Sequence, residues 1–369
     1  SSLHPFSMAH NRHPSLAHLN SDTITQLEMG LENRGIDSRT LPLIMAGAGN
    51  WCLIESDPGV FTEIMREVGV KGLEVEELVA LDPVFYNELE PIYGLIFLFK
   101  WRESDVPTGI QVANPPGVFF AQQVISNACA TQALVNLLLN IDRPNEKHIE
   151  LGETLTDFKS FCNDFDPASR GLCLSNSDAI RSVHNSFSRQ QLFELDIKGG
   201  KEEDNYHFVC YVPKDGKIYE LDGLQDTPYV VGEVGEGVNW MDVVTPAIQQ
   251  RIQKYAAGEI HFNLMALVGD RKEKAVRRLE EIATSGMETE DVAGEVCDLQ
   301  QLIADLEEKT KKHKIENIRR RHNYLPLIVE VLRVLAKEDK LVPLVEQAID
   351  NAVKKKKARD ESEKVKAKA

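Results

Sequence analysis

The sequence predicts an α/β fold, with helices packed on a mostly antiparallel sheet, followed by an all-α C-terminal extension. Three observations carry this expectation. His207-Phe208-Val209-Cys210-Tyr211-Val212 alternates as a strand, and Ile218-Tyr219-Glu220-Leu221-Asp222 answers it across Asp215-Gly216, the strongest short hairpin signal in the chain. Residues 94–99 form a continuous apolar run, the mark of a strand buried on both faces. After Asp270 strand signals cease, and apolar residues recur at helical spacing among many charges.

Taken in order, residues 1–44 are polar, rich in His and Asn, and without sustained periodicity. They read as a flexible N-terminal extension outside the fold, native or added to the chain. Short helices are expected at 60–68 and 75–81, and a strand at 94–99. A helix starts near Ala130, because Ala133, Leu134, Leu137 and Leu138 recur at helical spacing, with Ser126 or Asn127 able to serve as N-cap. Further helices are expected at 178–191 and 239–255, the latter ending at Gly258, and a strand at 260–268. Residues 45–268 thus make one domain. Residues 269–310 make a helical connector with Leu279, Ile282, Val296, Leu299 and Leu306 in its stripe, broken by Ser285-Gly286. Residues 311–369 make a second helical domain: Ile315, Ile318, Leu325, Leu327, Ile328 and Leu335 lie on amphipathic helices interrupted at Pro326 and Pro343. Its Lys354–357 tail is a solvated basic end. Such a stripe closes on its own hairpin or on a partner, and the pattern alone leaves both open.

Composition narrows the class without defining it. At 369 residues the chain has a two-domain length and ample material for a core. A formal net charge of −16 with 42% hydrophobic residues describes a soluble acidic protein, with no direct nucleic-acid binding expected. No run approaches the ~18 apolar residues of a membrane span, and no early segment reads as a signal peptide. Six scattered cysteines suggest reduced thiols, in cytosol or nucleus. With no C-x-x-C and no H-E-x-x-H, no metal and no cofactor is expected.

Chemistry concentrates at four residues. Cys129 stands where the helix near Ala130 begins, and a thiol there feels the positive end of the macrodipole, which favours the nucleophilic thiolate. Gln123, six residues upstream, brings an amide within reach of an oxyanion. His207 heads the first hairpin strand and Asp222 ends the second. If Asp215 and Gly216 are the two loop residues, Lys214 faces Lys217, Val209 faces Asp222, and His207 lies on the diagonal. A loop two residues longer sets His207 directly opposite Asp222. Either register leaves imidazole and carboxylate on one face, within hydrogen-bonding reach; a one-residue slip would part them. An acid that holds the imidazole in one tautomer is what a thiol–imidazole pair needs. Cys52, Cys162, Cys173, Cys210 and Cys297 are read as structural, since free cysteines are commonly small buried hydrophobes.

These residues resemble a family. Gln123, Asn127-Ala128-Cys129-Ala130-Thr131, His207-Phe208-Val209 and Leu221-Asp222-Gly223 are similar to the ubiquitin carboxyl-terminal hydrolases, papain-like cysteine proteases. The resemblance extends over residues 51–61, 94–100 and 258–265. Lys314-Ile315-Glu316-Asn317-Ile318-Arg319-Arg320, followed by His322-Asn323-Tyr324-Leu325-Pro326, is similar to the proteasome-associated branch with a C-terminal helical extension. Met45-Ala46-Gly47 resembles the family's natural beginning.

The resemblance implies Cys129 as nucleophile, His207 as general base and acid, Asp222 as its orienter and Gln123 as oxyanion donor. It implies ubiquitin and its conjugates as substrates, with Glu55, Asp57 and Phe61 as ubiquitin contacts. The charged segment 195–205 (Leu195, Lys198, Gly199, Glu203 and Asn205 among its residues) corresponds to a crossover loop that restricts what enters the cleft; its length suggests mobility. Ile315, Leu325, Leu327 and Ile328 would dock on a proteasomal ubiquitin receptor of the regulatory particle, or on a chromatin-remodelling subunit, placing the protein in cytoplasm and nucleus. Two rival functions are a non-catalytic scaffold and a general papain-like peptidase. The complete Gln-Cys-His-Asp set speaks against the first, and the loop over the cleft against the second.

Overall fold

The computed structural model describes residues 51–101, 107–125, 127–141, 147–187, 206–255, 262–285 and 290–366. The N-terminal extension at 1–44 therefore lies outside the described residues. Helix α1 (Pro58–Glu67) opens the fold, its first turn capped by the Asp57 carboxylate, which accepts from the N–H groups of Gly59 and Val60. Strand β1 (Leu73–Glu77), helix α2 (Pro83–Tyr86), strand β2 (Ile92–Lys100) and strand β3 (Ile110–Gln111) come after it. Helices α3 (Cys129–Leu138), α4 (Gly152–Cys162), α5 (Pro167–Ser175) and α6 (Asp178–Ser186) come next. Then come strands β4 (Tyr206–Lys214), β5 (Lys217–Leu221) and β6 (Tyr229–Glu233), helix α7 (Trp240–Tyr255) and strand β7 (Asn263–Gly269). The chain ends in α8 (Arg271–Ser285), α9 (Glu290–Arg321), α10 (Leu325–Lys337) and α11 (Leu341–Lys366).

The seven strands form one antiparallel sheet in the order β1-β7-β2-β4-β5-β6-β3. Its central strands are covered on both sides, as the apolar run at 94–99 predicts. Ile96, Phe208, Cys210, Val212, Met265 and Leu267 join Ala133, Leu134 and Leu137 of α3 in one core. Leu95, Phe97, Phe99, Val209, Tyr211 and Leu264 join Met241, Val244 and Ile248 of α7 in the other. Period-two alternation thus sends successive residues of the same strand to opposite helices. Gly94 lets α3 approach β2 closely: a Cβ there would stand 2.8 Å from the Tyr211 carbonyl oxygen and 3.0 Å from Leu137 Cγ.

One element differs in kind from expectation. The helix expected at 75–81 is replaced by β1, because Leu73-Glu74-Val75-Glu76 alternates buried apolar with charged residues, and β7 supplies an antiparallel partner from Leu73↔Gly269 to Glu77↔Met265. A five-residue strand carries too short a pattern to separate period two from period 3.6. The helix expected at 178–191 stops at Ser186, and residues 188–205 lie outside the described residues.

The chain divides into two compact units, one running to Arg321 and one holding α10 and α11. In the first, α9 is clamped to the start of α1. Asn317 Nδ2 donates to the Gly59 carbonyl at 3.0 Å, and Arg320 forks onto Glu55 Oε2 at 2.8 Å and Asp57 Oδ2 at 3.0 Å. Arg321 pairs with Glu67 at 2.6 Å and lies 3.9 Å from the Phe187 ring centroid. Helix α9 runs without a break through residues 310–311, where the sequence pattern put a domain boundary. In the second unit, no residue of α10 is buried. Among the described residues no helix is long and apolar enough to cross a membrane.

Candidate active site

Cys129 is the first residue of α3 and is nearly buried. Asn127 does not cap this helix, and Ser126 lies outside the described residues. The cap position is Ala128, and among the described residues no side chain makes a capping bond there. Asn127 adopts a left-handed φ of 67° and donates from Nδ2 to the Trp51 carbonyl at 3.3 Å. A capping oxygen would occupy first-turn N–H groups. Its absence leaves the helix's positive end facing the thiol.

The segment leading to Cys129 is held by a polar stripe on α3 that sequence analysis overlooked. Asn140 binds the Phe119 backbone at both ends, accepting from its N–H at 2.7 Å and donating to its carbonyl at 2.6 Å. Asn136 does the same to Ala121, at 2.8 and 3.0 Å, and Gln132 Nε2 also donates to the Ala121 carbonyl. All three amides are buried. Their spacing of four was the available signal: a polar ridge on an otherwise apolar helix must find buried partners.

This arm delivers Gln123. Its backbone N–H donates to the Gly223 carbonyl at 2.8 Å, and its side-chain Nε2 donates to the Ile125 carbonyl at 3.1 Å. One of its two amide hydrogens is so used. Gly223 comes directly after Asp222, and a Cβ on it would stand 2.9 Å from Gln123 Cβ. Oxyanion arm and acid strand therefore meet backbone to backbone.

The β4–β5 hairpin adopts the tighter of the two registers. Lys214 faces Lys217, Cys210 faces Leu221, and the loop residues Asp215 and Gly216 both have positive φ (49° and 72°), as a type I′ turn requires. His207 thus lies diagonal to Asp222, with Nε2 2.6 Å from Asp222 Oδ1, and both side chains are buried. The Leu224 N–H donates to the same carboxylate oxygen at 2.9 Å. With Nε2 taken, Nδ1 is the ring nitrogen left for Cys129, which lies close enough to raise the imidazole's pKa. Burial alone would lower the His207 pKa; the Asp222 charge and hydrogen bond, with the Cys129 contact, outweigh it and raise the value to about 9. Burial likewise opposes ionisation of Asp222, but the His207 partnership and the Leu224 N–H hold its pKa below the usual carboxylate value.

A second histidine braces the helix. His184 Nε2 lies 2.7 Å from the Cys52 carbonyl, which can only accept, so Nδ1 accepts from the Thr131 hydroxyl at 2.7 Å. Burial lowers its pKa to about 4, keeping the ring neutral. It ties α3 and α6 to the segment at Trp51-Cys52. Nothing in the sequence paired it with Thr131, which is 53 positions away.

The other candidate residues lie apart from this centre. Phe61 has no exposed surface and packs on Phe208 with centroids 5.6 Å apart, so it is core and cannot meet a ligand. Glu55 and Asp57 are engaged by Arg320. Leu195, Lys198, Gly199, Glu203 and Asn205 lie outside the described residues. Ile315 is exposed on α9 in the first unit, whereas Leu325 and Leu327 are exposed and Ile328 half-buried on α10 in the second. Among the described residues no group of His, Cys, Asp or Glu could hold a metal ion.

A thiol at a helix start near an imidazole that a buried carboxylate orients, on helices enclosing an antiparallel sheet, defines a thiol hydrolase of papain-like organisation. The sequence model described as ubiquitin carboxyl-terminal hydrolase, family 1, matches residues 51–253, and a second, described as ubiquitin carboxyl-terminal hydrolases, matches 296–341. The chain belongs to this family of cysteine-type deubiquitinases. It is 53% identical to ubiquitin carboxyl-terminal hydrolase ubh-4 of Caenorhabditis elegans over 313 residues, covering 85% of this chain and 96% of that protein. Isozyme L5 of Dictyostelium discoideum is 41% identical over 340 residues, covering 83% and 97%. Among solved structures, Trichinella spiralis UCH37 bound to ubiquitin vinyl methyl ester superposes with a TM-score of 0.60 at 46% identity. That match covers 72% of this chain and all of the other.

Proposed function

We propose that this chain binds ubiquitin and hydrolyses the bond after its C-terminal glycine. The observation that carries this reading is the His207–Asp222 bond of 2.6 Å beside the thiol at the start of α3. Cys129 Sγ attacks the glycine carbonyl carbon, its proton having passed to His207. The carbonyl oxygen becomes an oxyanion held by the Cys129 N–H and the Gln123 amide. Collapse breaks the bond to the leaving amine, which takes the proton from His207 and departs, leaving a thioester. Water, deprotonated by His207, then releases the ubiquitin carboxylate and regenerates the thiol. Asp222 fixes the ring and stabilises its cation throughout.

A ubiquitin-bearing ligand in the Trichinella relative supports this substrate class. So does the end of the sheet that carries His207: Val79, just past β1, Phe262, just before β7, and Tyr206, the first residue of β4, are all exposed there. Such an apolar edge suits a folded protein better than a short peptide. Exposed Leu325 and Leu327 suit docking on a proteasomal ubiquitin receptor or a chromatin-remodelling subunit, and six free thiols suit the reducing cytoplasm and nucleus. The test is release of a fluorophore from the ubiquitin C terminus and from a short peptide ending in the same residues. Turnover of the ubiquitin conjugate with little of the peptide is expected; equal kcat/KM on both would make this a general peptidase.

A further inference from the structure

A second buried ionic group stands behind the catalytic pair. Arg251 of α7 and Glu220 of β5 are 3% and 0% exposed. Arg251 Nη1 donates to the Glu220 carboxylate and, at 3.1 Å, to the Tyr211 hydroxyl oxygen. The guanidinium lies 4.2 Å from the centre of the Phe99 ring. Phe99 is in turn the cross-strand partner of His207 and meets its ring edge-on, with centroids 6.0 Å apart and planes at 82°. Glu220 precedes Asp222 by two positions, and Val209 and Tyr211 come after His207 at even spacing, so all these side chains share one sheet face.

Burying a charge pair loses hydration that mutual attraction seldom returns in full, so an apolar set of equal volume would hold this core as well. The arrangement does two things an apolar set would not. It presses a planar cation on Phe99, which backs His207, and it places a fixed positive charge behind Asp222, on which it acts to favour the carboxylate. The geometry points to Arg251 and Glu220 as positioning residues for the His207–Asp222 pair, setting the imidazole against the thiol through Phe99 and Asp222. This rests on the catalytic roles of Cys129, His207 and Asp222. The titratable groups that act on the pair are Cys129 of α3, Cys210 of β4, Glu220 of β5, Tyr229 of β6 and Arg251 of α7, with Tyr211 of β4 joined to Glu220 and Arg251.

The deciding protein is the full chain carrying Tyr211→Phe, Glu220→Leu and Arg251→Met together, which removes the three buried polar members and leaves only the half-buried Thr108 hydroxyl, a 3.4 Å donor to Glu220 Oε2, without that partner. Hydrolysis of a ubiquitin C-terminal fluorogenic amide is followed from pH 5 to 10, beside thermal unfolding. Positioning predicts a folded protein whose kcat falls about tenfold or more with KM unchanged. The alkaline limb of kcat/KM also moves to lower pH as the Asp222 bond loosens. Wild-type kcat and pH profile in the folded triple variant overturn the proposal and leave the thiol mechanism untouched. If the triple variant does not fold, Arg251→Lys decides on the same two readouts, because it keeps the charge and loses the planar face over Phe99. Wild-type kcat and pH limb in that variant also overturn it. An inactive Asp222→Ala control must accompany both; full activity there would fail the underlying catalytic roles instead.

Discussion

In the unit that ends at Arg321, polar side chains go inward: Gln132, Asn136, Asn140, His184, Glu220 and Arg251 are all buried, and nearly every one is matched by a specific acceptor or donor. In α10 and α11 the reverse holds. Leu325, Leu327, Val331, Leu332, Val342, Leu344 and Ile349 stand exposed, and α10 buries nothing. The first region spends its sequence on fixing a few atoms to within a bond length, and tolerates costly buried polarity to do so. The second leaves its apolar faces without a cover of its own, as a docking surface does. Substitutions should therefore separate the two regions: catalysis without docking, or docking without catalysis.

The largest break falls at Cys129. Cys129→Ala should lose on the order of 10³-fold or more in kcat, because no other atom at the site can form the thioester. Ubiquitin binding, measured by titration calorimetry, should survive. Measurable turnover in that variant would end the thiol mechanism. Gln123→Ala should cost on the order of 10²-fold in kcat with KM nearly constant, the signature of a donor used only in the transition state. A change confined to KM would move Gln123 to ground-state binding.

The catalytic pair was legible because a hairpin is a local structure. Asp215-Gly216 fixes its register from a few residues, and register alone places His207 near Asp222. The helix start at Cys129 was readable from the apolar spacing that follows it. The parts that escaped were non-local. Thr131–His184 and Arg251–Glu220 join residues far apart in sequence, and no pattern along the chain names the partner of a buried polar group. Phe61 fails as a ubiquitin contact for a related reason: the first turn of α1 is buried all round, at Gly59, Val60, Phe61 and Thr62, and only the tertiary fold says so. The strand at Leu73–Glu77 was missed because it is short and exists through β7.

Asp222→Asn tests the pair through pH. His207 is raised to about 9 from an ordinary 6.5, so its link to Asp222 stabilises the fold fully below about 6.5, and that stabilisation is lost as pH rises through about 9. Asp222, held below its ordinary value, contributes the opposite edge: its stabilisation is present above that ordinary value and is lost as pH falls through the lowered one. The wild-type alkaline limb of kcat/KM should thus fall near 9. Asp222→Asn should bring it down toward 6.5 and cost about 10²-fold at neutral pH through lost orientation. An unmoved limb would make Asp222 a turn residue only. A smaller effect is expected at Gly223, where an added Cβ pushes on Gln123. Gly223→Ala should lower kcat roughly tenfold, about 1.4 kcal/mol of barrier. The loss should largely vanish when Gln123 is already alanine. Additive losses would show that Gly223 acts elsewhere.

The smallest catalytic effect should come from the second region, and where the chain is cut decides how to see it. A cut after Val268 tracks the composition shift, but it removes Arg320 and Asn317 from the start of α1 and exposes the Glu55, Asp57 and Gly59 groups they hold. That protein should unfold at a distinctly lower temperature. A cut after Arg321 keeps every one of those contacts and removes only α10 and α11. It should melt as the full chain does and cleave a small ubiquitin amide within about twofold of it, since it leaves the catalytic residues and the α9 clamp whole. The full chain with Leu327→Asp and Ile328→Asp should match the shortened protein on that substrate. If α10 docks as proposed, a purified proteasomal ubiquitin receptor should pull down the full chain and neither variant. A shortened protein that still binds the receptor as tightly as its parent would put the docking surface on the catalytic unit, where Ile315 and Ile318 of α9 are among the exposed apolar residues.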